Sequence, residues 1–128
     1  QVIIPRLDTD IVKIINYSLK NKLHKIKIKW KKIKCMTVVL CSKGYPGRYS
    51  TNKPIGSIDN IKLEKKSIIF HAGTKIDKKR LVSNGGRVLN ITSSGNSFSN
   101  IRKNIFKIIK KINWRGGFFR KDIGWRVI

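Results

Sequence analysis

Two short apolar runs, residues 67–70 and 87–91, constrain the fold more than anything else in the chain. The first empties into His71-Ala72-Gly73-Thr74, and the second is entered through Ser83-Asn84-Gly85-Gly86-Arg87. Runs of four or five residues rich in isoleucine and valine have the length of strands and are too short for helices that bury a stripe. Gly73, Gly85 and Gly86 let the backbone turn tightly or approach another group closely. The pattern is that of strands delivering loops to one cleft, with His71 and Arg87 as the side chains able to do chemistry there.

The flanking segments define the class. Residues 8–21 read as a helix: Pro5 and Asp8-Thr9-Asp10 supply entry signals, and Leu7, Ile11, Ile14, Ile15 and Leu19 recur at helical spacing. Asp8 and Asp10 read as caps in preference to metal ligands. Arg6, at the helix entry, is either a solvated arginine or a cleft residue. From Leu23 to Lys34 isoleucines alternate with lysines, as in a short half-exposed strand followed by a connector. A clean apolar strand follows over 36–41. It opens into a loop, 42–49, where Gly44 and Gly47 bracket Tyr45-Pro46. Residues 54–58 and 61–63 read as short irregular pieces.

Beyond them comes the strand and loop of 68–74, then a hairpin through Asp77-Lys78-Lys79 into Leu81-Val82, a turn over 83–86 and a strand over 87–92. In that strand Arg87, Leu89 and Ile91 share parity, which puts Arg87 at the rim of the buried face. A helix spans 98–112, with Ile101, Ile105, Ile108 and Ile112 as its core stripe and Lys103, Lys107 and Lys110 on the wet side. The tail from Trp114 is rich in aromatic and arginine side chains, a composition unlike that of a disordered segment. The expected fold class is α+β: mainly antiparallel strands with a late helix packed on them.

Composition limits the function classes. A chain of 128 residues makes one domain, or one domain plus a piece of another. It has no basic leader followed by an apolar core, and no apolar run near the ~20 residues that span a bilayer. It therefore reads as soluble and, beginning at Gln1, as a fragment. Cys35 and Cys41 are six residues apart on one strand, roughly 20 Å if it is continuous, too far to pair. That spacing fits a reducing compartment. The net charge of +24 comes from 22 Lys and 8 Arg scattered over the chain. Lysine offers only a point charge, whereas base readers rely on the arginine fork. A basic nucleic-acid-binding module is thus the alternative reading, and it demands a contiguous basic face. A scaffold half that reassociates with an upstream partner chain is a third.

The order of motifs is more specific than any one of them. Pro5-Arg6-Leu7, Val38-Val39-Leu40, Gly44-Tyr45-Pro46-Gly47, Phe70-His71-Ala72-Gly73-Thr74, Asn84-Gly85-Gly86-Arg87-Val88-Leu89 and Arg120-Lys121-Asp122-Ile123-Gly124 follow in one line. Together they resemble the C-terminal part of the phosphoribosylamine–glycine ligases, ATP-grasp enzymes of purine biosynthesis, over essentially the whole chain. The resemblance implies that residues 1–36 end an ATP-grasp domain. It implies that 37–128 form the C-terminal domain, similar to the rudimentary hybrid motif that closes one side of the cleft in related ligases.

The activity implied is ATP-dependent joining of glycine to 5-phosphoribosylamine, with Mg²⁺ or Mn²⁺. In that family the metal-binding Glu and Asn and the nucleotide-binding lysines precede the position of Gln1. No catalytic, cofactor-binding or metal residue is therefore expected here, and the segment alone should be inactive. The substrate-binding candidates are Arg87, His71, Gly73, Thr74, Tyr45, Gly47 and Arg6. For Arg87 a structural salt bridge stands beside ligand binding, and Asp122 reads as the partner of Arg120 or Arg126. The implied enzyme is a cytoplasmic monomer with no specific nucleic-acid or membrane partner. Cys41 and Lys43 depart from the pattern, at places usually small or neutral.

Overall fold

The computed structural model describes residues 1–56 and 58–128. Its centre is a pair of nine-residue antiparallel strands, β1 (Lys34–Ser42) and β5 (Arg87–Gly95). β2 (Ser67–His71) pairs with the far side of β5, and the two-residue β6 (Gly117–Phe118) with the far side of β1. The sheet order is β2-β5-β1-β6, while β3 (Thr74–Asp77) and β4 (Arg80–Ser83) form a separate hairpin. The fold is α+β, with every one of these pairings antiparallel.

Strand alternation divides the sheet into two faces. Met36, Val38, Leu40, Ile69, Leu89 and Ile91 look toward α3 (Phe98–Lys111), whose Ile101, Ile105, Ile108 and Ile109 complete one core. Burying each of these side chains contributes about 1.5–3 kcal/mol, so the helix acts as the main clamp on the sheet. A polar seam lies between them. The Asn104 amide donates to Ser67 Oγ at 2.9 Å and to Ser93 Oγ at 3.1 Å, and the two hydroxyls lie 3.0 Å apart. Each buried hydroxyl in that seam therefore has a partner.

Several elements differ from the sequence reading. The helix expected over 8–21 is α2 (Ile11–Leu19), preceded by a short α1 (Ile3–Arg6). Asp10 alone caps it, accepting from the backbone of Val12 at 2.7 Å and Lys13 at 3.1 Å. Asp8 instead uses its N–H to hold Lys29 O. The apolar stripe of α2 is not covered, and Ile11, Val12, Ile15 and Leu19 are all exposed.

No strand forms over 23–34, where a 3₁₀ turn (Leu23–Lys25) and one isolated bridge, Leu7 to Trp30, take its place. Alternation makes a strand only where a neighbour completes the ladder, and these lysines face water. In contrast β1 and β5 run longer than expected. Their added ends, Lys34 against Gly95 and Cys35 against Ser94, are strand because they pair with each other. The break at Ala72-Gly73 separates β2 from β3, and the β3–β4 hairpin falls where its turn signal puts it.

That hairpin carries a local misfit. Lys78 and Lys79, its two turn residues, sit at φ +44° and +62°. A two-residue hairpin loop with both centres left-handed favours Asn-Gly, and side chains such as lysine are strained there. Replacing the pair by Asn-Gly is expected to raise stability by about 1 kcal/mol, read as a higher urea midpoint. A lower midpoint would mean that the lysines make compensating contacts.

Candidate functional site

Three turns meet at one end of the β1–β5 pair, and backbone hydrogen bonds hold them. Ser42 donates through its N–H to Gly86 O and through its hydroxyl to Gly85 O, both at 2.7 Å, tying the loop after β1 to the turn before β5. Gly73 N–H donates to Arg87 O at 2.9 Å, and Asn84 N–H to Gly73 O at 2.7 Å. Glycine is required at 73 because a Cβ there would lie 2.7 Å from Arg87 O and 2.9 Å from Gly85 Cα. Gly86 is required for another reason: its missing side chain is where the ring of Tyr45 rests, 2.1 Å from the place of a Cβ. The ring is held on its other side by an edge contact with Tyr49, 6.0 Å between centroids.

The position of Arg87 depends on a bulge. Leu40 pairs with Leu89, but the next residue of β1, Cys41, pairs with Arg87, so Val88 is supernumerary. The parity count, which puts Arg87 with Leu89 on the buried face, is therefore overturned. The extra residue shifts the alternation, and Arg87 joins Val39 and Asn90 on the sheet face away from α3. There it lines a cleft of about 500 Å³ with Gln1, Val39, Tyr45, Ala72, Gly86 and Asn90. An apolar groove of about 330 Å³ adjoins it, shares Val39 and Tyr45, and is continued by Cys41, Pro46, Phe119 and Ile123.

The electrostatics are simple. Among the described residues the one salt bridge is Arg120–Asp122, at 2.6 Å on the surface, as the reading of Asp122 expects. Its arginine holds the Asp122 carboxyl below the usual range. Arg87 has no carboxylate partner among them and is exposed to the cleft. Burial pushes the Cys41 thiol up, and the Arg87 charge partly opposes this. Both cysteines are free, and they lie near opposite ends of β1. No three His, Cys, Asp or Glu side chains among the described residues gather as a divalent ion would need.

Of the residues singled out from sequence, Arg87 and Tyr45 line the cleft. Gly73 builds it through the backbone. His71 and Thr74 bond each other, Nδ1 to Oγ1 at 3.1 Å, and both stand outside the lining, where Ala72 takes the place expected of the histidine. Gly47 is exposed in the Tyr45 loop and outside the lining. Arg6 does not join them: its charge acts on the thiol of Cys35, which burial pushes up, near the far end of β1. The span from Cys35 to Cys41 is roughly 20 Å at strand rise. Sequence reasoning missed Asn90. The available signal was a carboxamide in the middle of an otherwise apolar run.

A small antiparallel domain thus brings glycine turns to one cleft, together with an arginine that has no carboxylate partner among the described residues. The description "Phosphoribosylglycinamide synthetase, C domain" matches residues 35–126. The chain is 40% identical over its whole length to the phosphoribosylamine–glycine ligase of Agrobacterium fabrum, spanning 30% of that protein. It is 37% identical over its whole length to the chloroplastic enzyme of the same name from Arabidopsis thaliana, spanning 24% of it. Among solved structures, the ligase of that name from Thermotoga maritima superposes with a TM-score of 0.64 at 25% identity, over 84% of this chain and 27% of that one. The chain belongs to the phosphoribosylglycinamide synthetase family, through that family's C domain. It spans about a quarter to a third of the length of these relatives.

Proposed function

We propose that this chain is the cleft-closing C-terminal part of a phosphoribosylamine–glycine ligase acting in purine biosynthesis. Residues 1–36 end its ATP-grasp domain, and 37–128 form the domain similar to the rudimentary hybrid motif. In that reaction ATP phosphorylates the glycine carboxylate, and the amine of 5-phosphoribosylamine attacks the acyl phosphate. The products are glycinamide ribonucleotide, ADP and phosphate. Mg²⁺ or Mn²⁺, held upstream with ATP, would neutralise charge on the transferring phosphoryl group. This segment supplies no catalytic or metal residue, and alone it should hydrolyse no ATP in response to glycine and phosphoribosylamine. We read the whole enzyme as a cytoplasmic monomer without nucleic-acid or membrane partners. Relatives named as ligases give the nucleic-acid alternative no support. Among the described residues no helix is long and apolar enough to cross a membrane.

The observation that carries the reading is Arg87, brought by the bulge to the cleft face and left without a carboxylate. A guanidinium there can take a phosphate or carboxylate through two parallel hydrogen bonds. His71, Gly73, Thr74 and Gly47 support the turns around it, and Arg6 stands at a distance. In the full-length enzyme Arg87→Ala is expected to raise the apparent KM for phosphoribosylamine or glycine about 10- to 100-fold, the value of a charge-assisted contact. Unchanged values for both would remove Arg87 from the site.

A further inference from the structure

Among the described residues six polar ones are buried: Ser42, Ser67, Ser83, Asn90, Thr92 and Ser93. Five have side-chain partners. Ser42 donates to Gly85 O, Ser67 and Ser93 share Asn104, Ser83 Oγ accepts from Lys53 N–H, and Thr92 donates to Thr37. Asn90, only 4% exposed, has none among the described residues, and it is the one of the six that lines the cleft with Arg87. Its cross-strand neighbours on the same face, Val39 and Phe70, offer only carbon. Among the described residues the buried polar atoms sealed off without a partner are Arg102 Nε and Trp114 Nε1, whereas the Asn90 carboxamide is open to the cleft and free to bond a ligand there.

We propose that Asn90 is a specificity-determining residue of this cleft, reading a hydroxyl of a sugar phosphate whose phosphate pairs with Arg87. The inference rests on the cleft-wall reading above. A carboxamide carries a donor and an acceptor, so it matches a hydroxyl, itself both, better than a second anion. Arg87 and Asn90 stand opposite Cys41 and Val39, two residues apart on β1, so the bulge leaves them about 7 Å apart along the strand. A ligand with an anionic group and a neighbouring hydroxyl can meet both, and a cleft of about 500 Å³ has room for a sugar phosphate. The Thr92–Thr37 pair beyond Asn90, 2.9 Å apart, is satisfied.

Ribose 5-phosphate, inorganic phosphate and glycine would be titrated into the full-length enzyme by calorimetry. Physiological salt is needed because a net charge of +24 over these 128 residues attracts anions indiscriminately at low salt. Ribose 5-phosphate is expected to bind at least tenfold more tightly than inorganic phosphate. Asn90→Ala should abolish that margin while leaving inorganic phosphate unchanged, and Arg87→Ala should weaken both phosphates. Asn90→Ser, which keeps a small hydrogen-bonding side chain, should retain part of the margin and guards against a folding defect in the alanine variant. If Arg87→Ala weakens both ligands but neither Asn90 variant alters the margin, the role of Asn90 is refuted and the cleft wall stands. If Arg87→Ala has no effect, or no phosphate binds at all, cleft wall and inference fall together. Glycine binding more tightly than ribose 5-phosphate, with the same dependence on Asn90, would overturn the sugar phosphate as the ligand.

Discussion

Ile105→Ala is expected to destabilise the domain by about 3 kcal/mol and to lower its melting temperature by roughly 10 °C. Ile105 is 0% exposed at the middle of the α3 stripe, packed over β5 and β1. Truncation there removes three carbons from a close-packed layer and leaves a void that neighbours on a rigid sheet can fill only in part. Against a total stability of about 5–15 kcal/mol the loss is a large fraction. Lys107→Ala, on the exposed side of the same helix, should change stability by less than about 0.5 kcal/mol. Thermal unfolding followed by circular dichroism compares the two. Equal effects would show that α3 does not hold the sheet.

Gly73→Ala is expected to cost about 2 kcal/mol and also to weaken anion binding at Arg87. The new methyl would meet Arg87 O and Gly85 Cα, both backbone, at 2.7 and 2.9 Å, so no side chain can swing aside to relieve it. The turn carrying Gly73 must then withdraw from the start of β5, breaking the bond from its N–H to Arg87 O. Gly47→Ala is the matched control in the neighbouring loop, where the nearest atom to the new methyl is Gly44 O at 3.3 Å. Urea unfolding and phosphate titration of both variants check the expectation. A Gly73→Ala protein with unchanged binding would mean that the turns need not touch for the cleft to exist.

How much of this was legible in the sequence depended on whether the deciding interaction was local. The isoleucines of α3 announced themselves because helical spacing is a property of one segment. The glycine turns were equally readable, since backbone freedom is written in residue type, whereas the lysines of the 77–80 turn adopt a conformation that their type disfavours. The ends of β1 and β5 were not: Lys34, Ser93 and Ser94 are poor strand formers that become strand only through each other. The alternation of 23–34 failed for the converse reason, a strand pattern with no ladder to join.

Within the site, Gly73 and Tyr45 were found because turn residues advertise themselves. Arg6 stands outside the cleft lining, because its place along β1 depends on how α1 lies against the sheet. The side of the sheet that Arg87 faces was hidden by a bulge created by two strands together. Asn90 was passed over because strand interiors are searched for packing and not for chemistry.

The spare residue in β5 changes how a central strand can vary in length. Ordinarily the loss of one residue exchanges every side chain between the two sides of a sheet, which makes such strands intolerant of deletion. Here Val88 lies outside the count that pairs Leu40 with Leu89 and Cys41 with Arg87. A chain lacking it would close into a regular ladder with the guanidinium still turned to the same side. Two proteins of different length at this point can therefore present one and the same cation, and a gap in their alignment would mark no gap in the pocket.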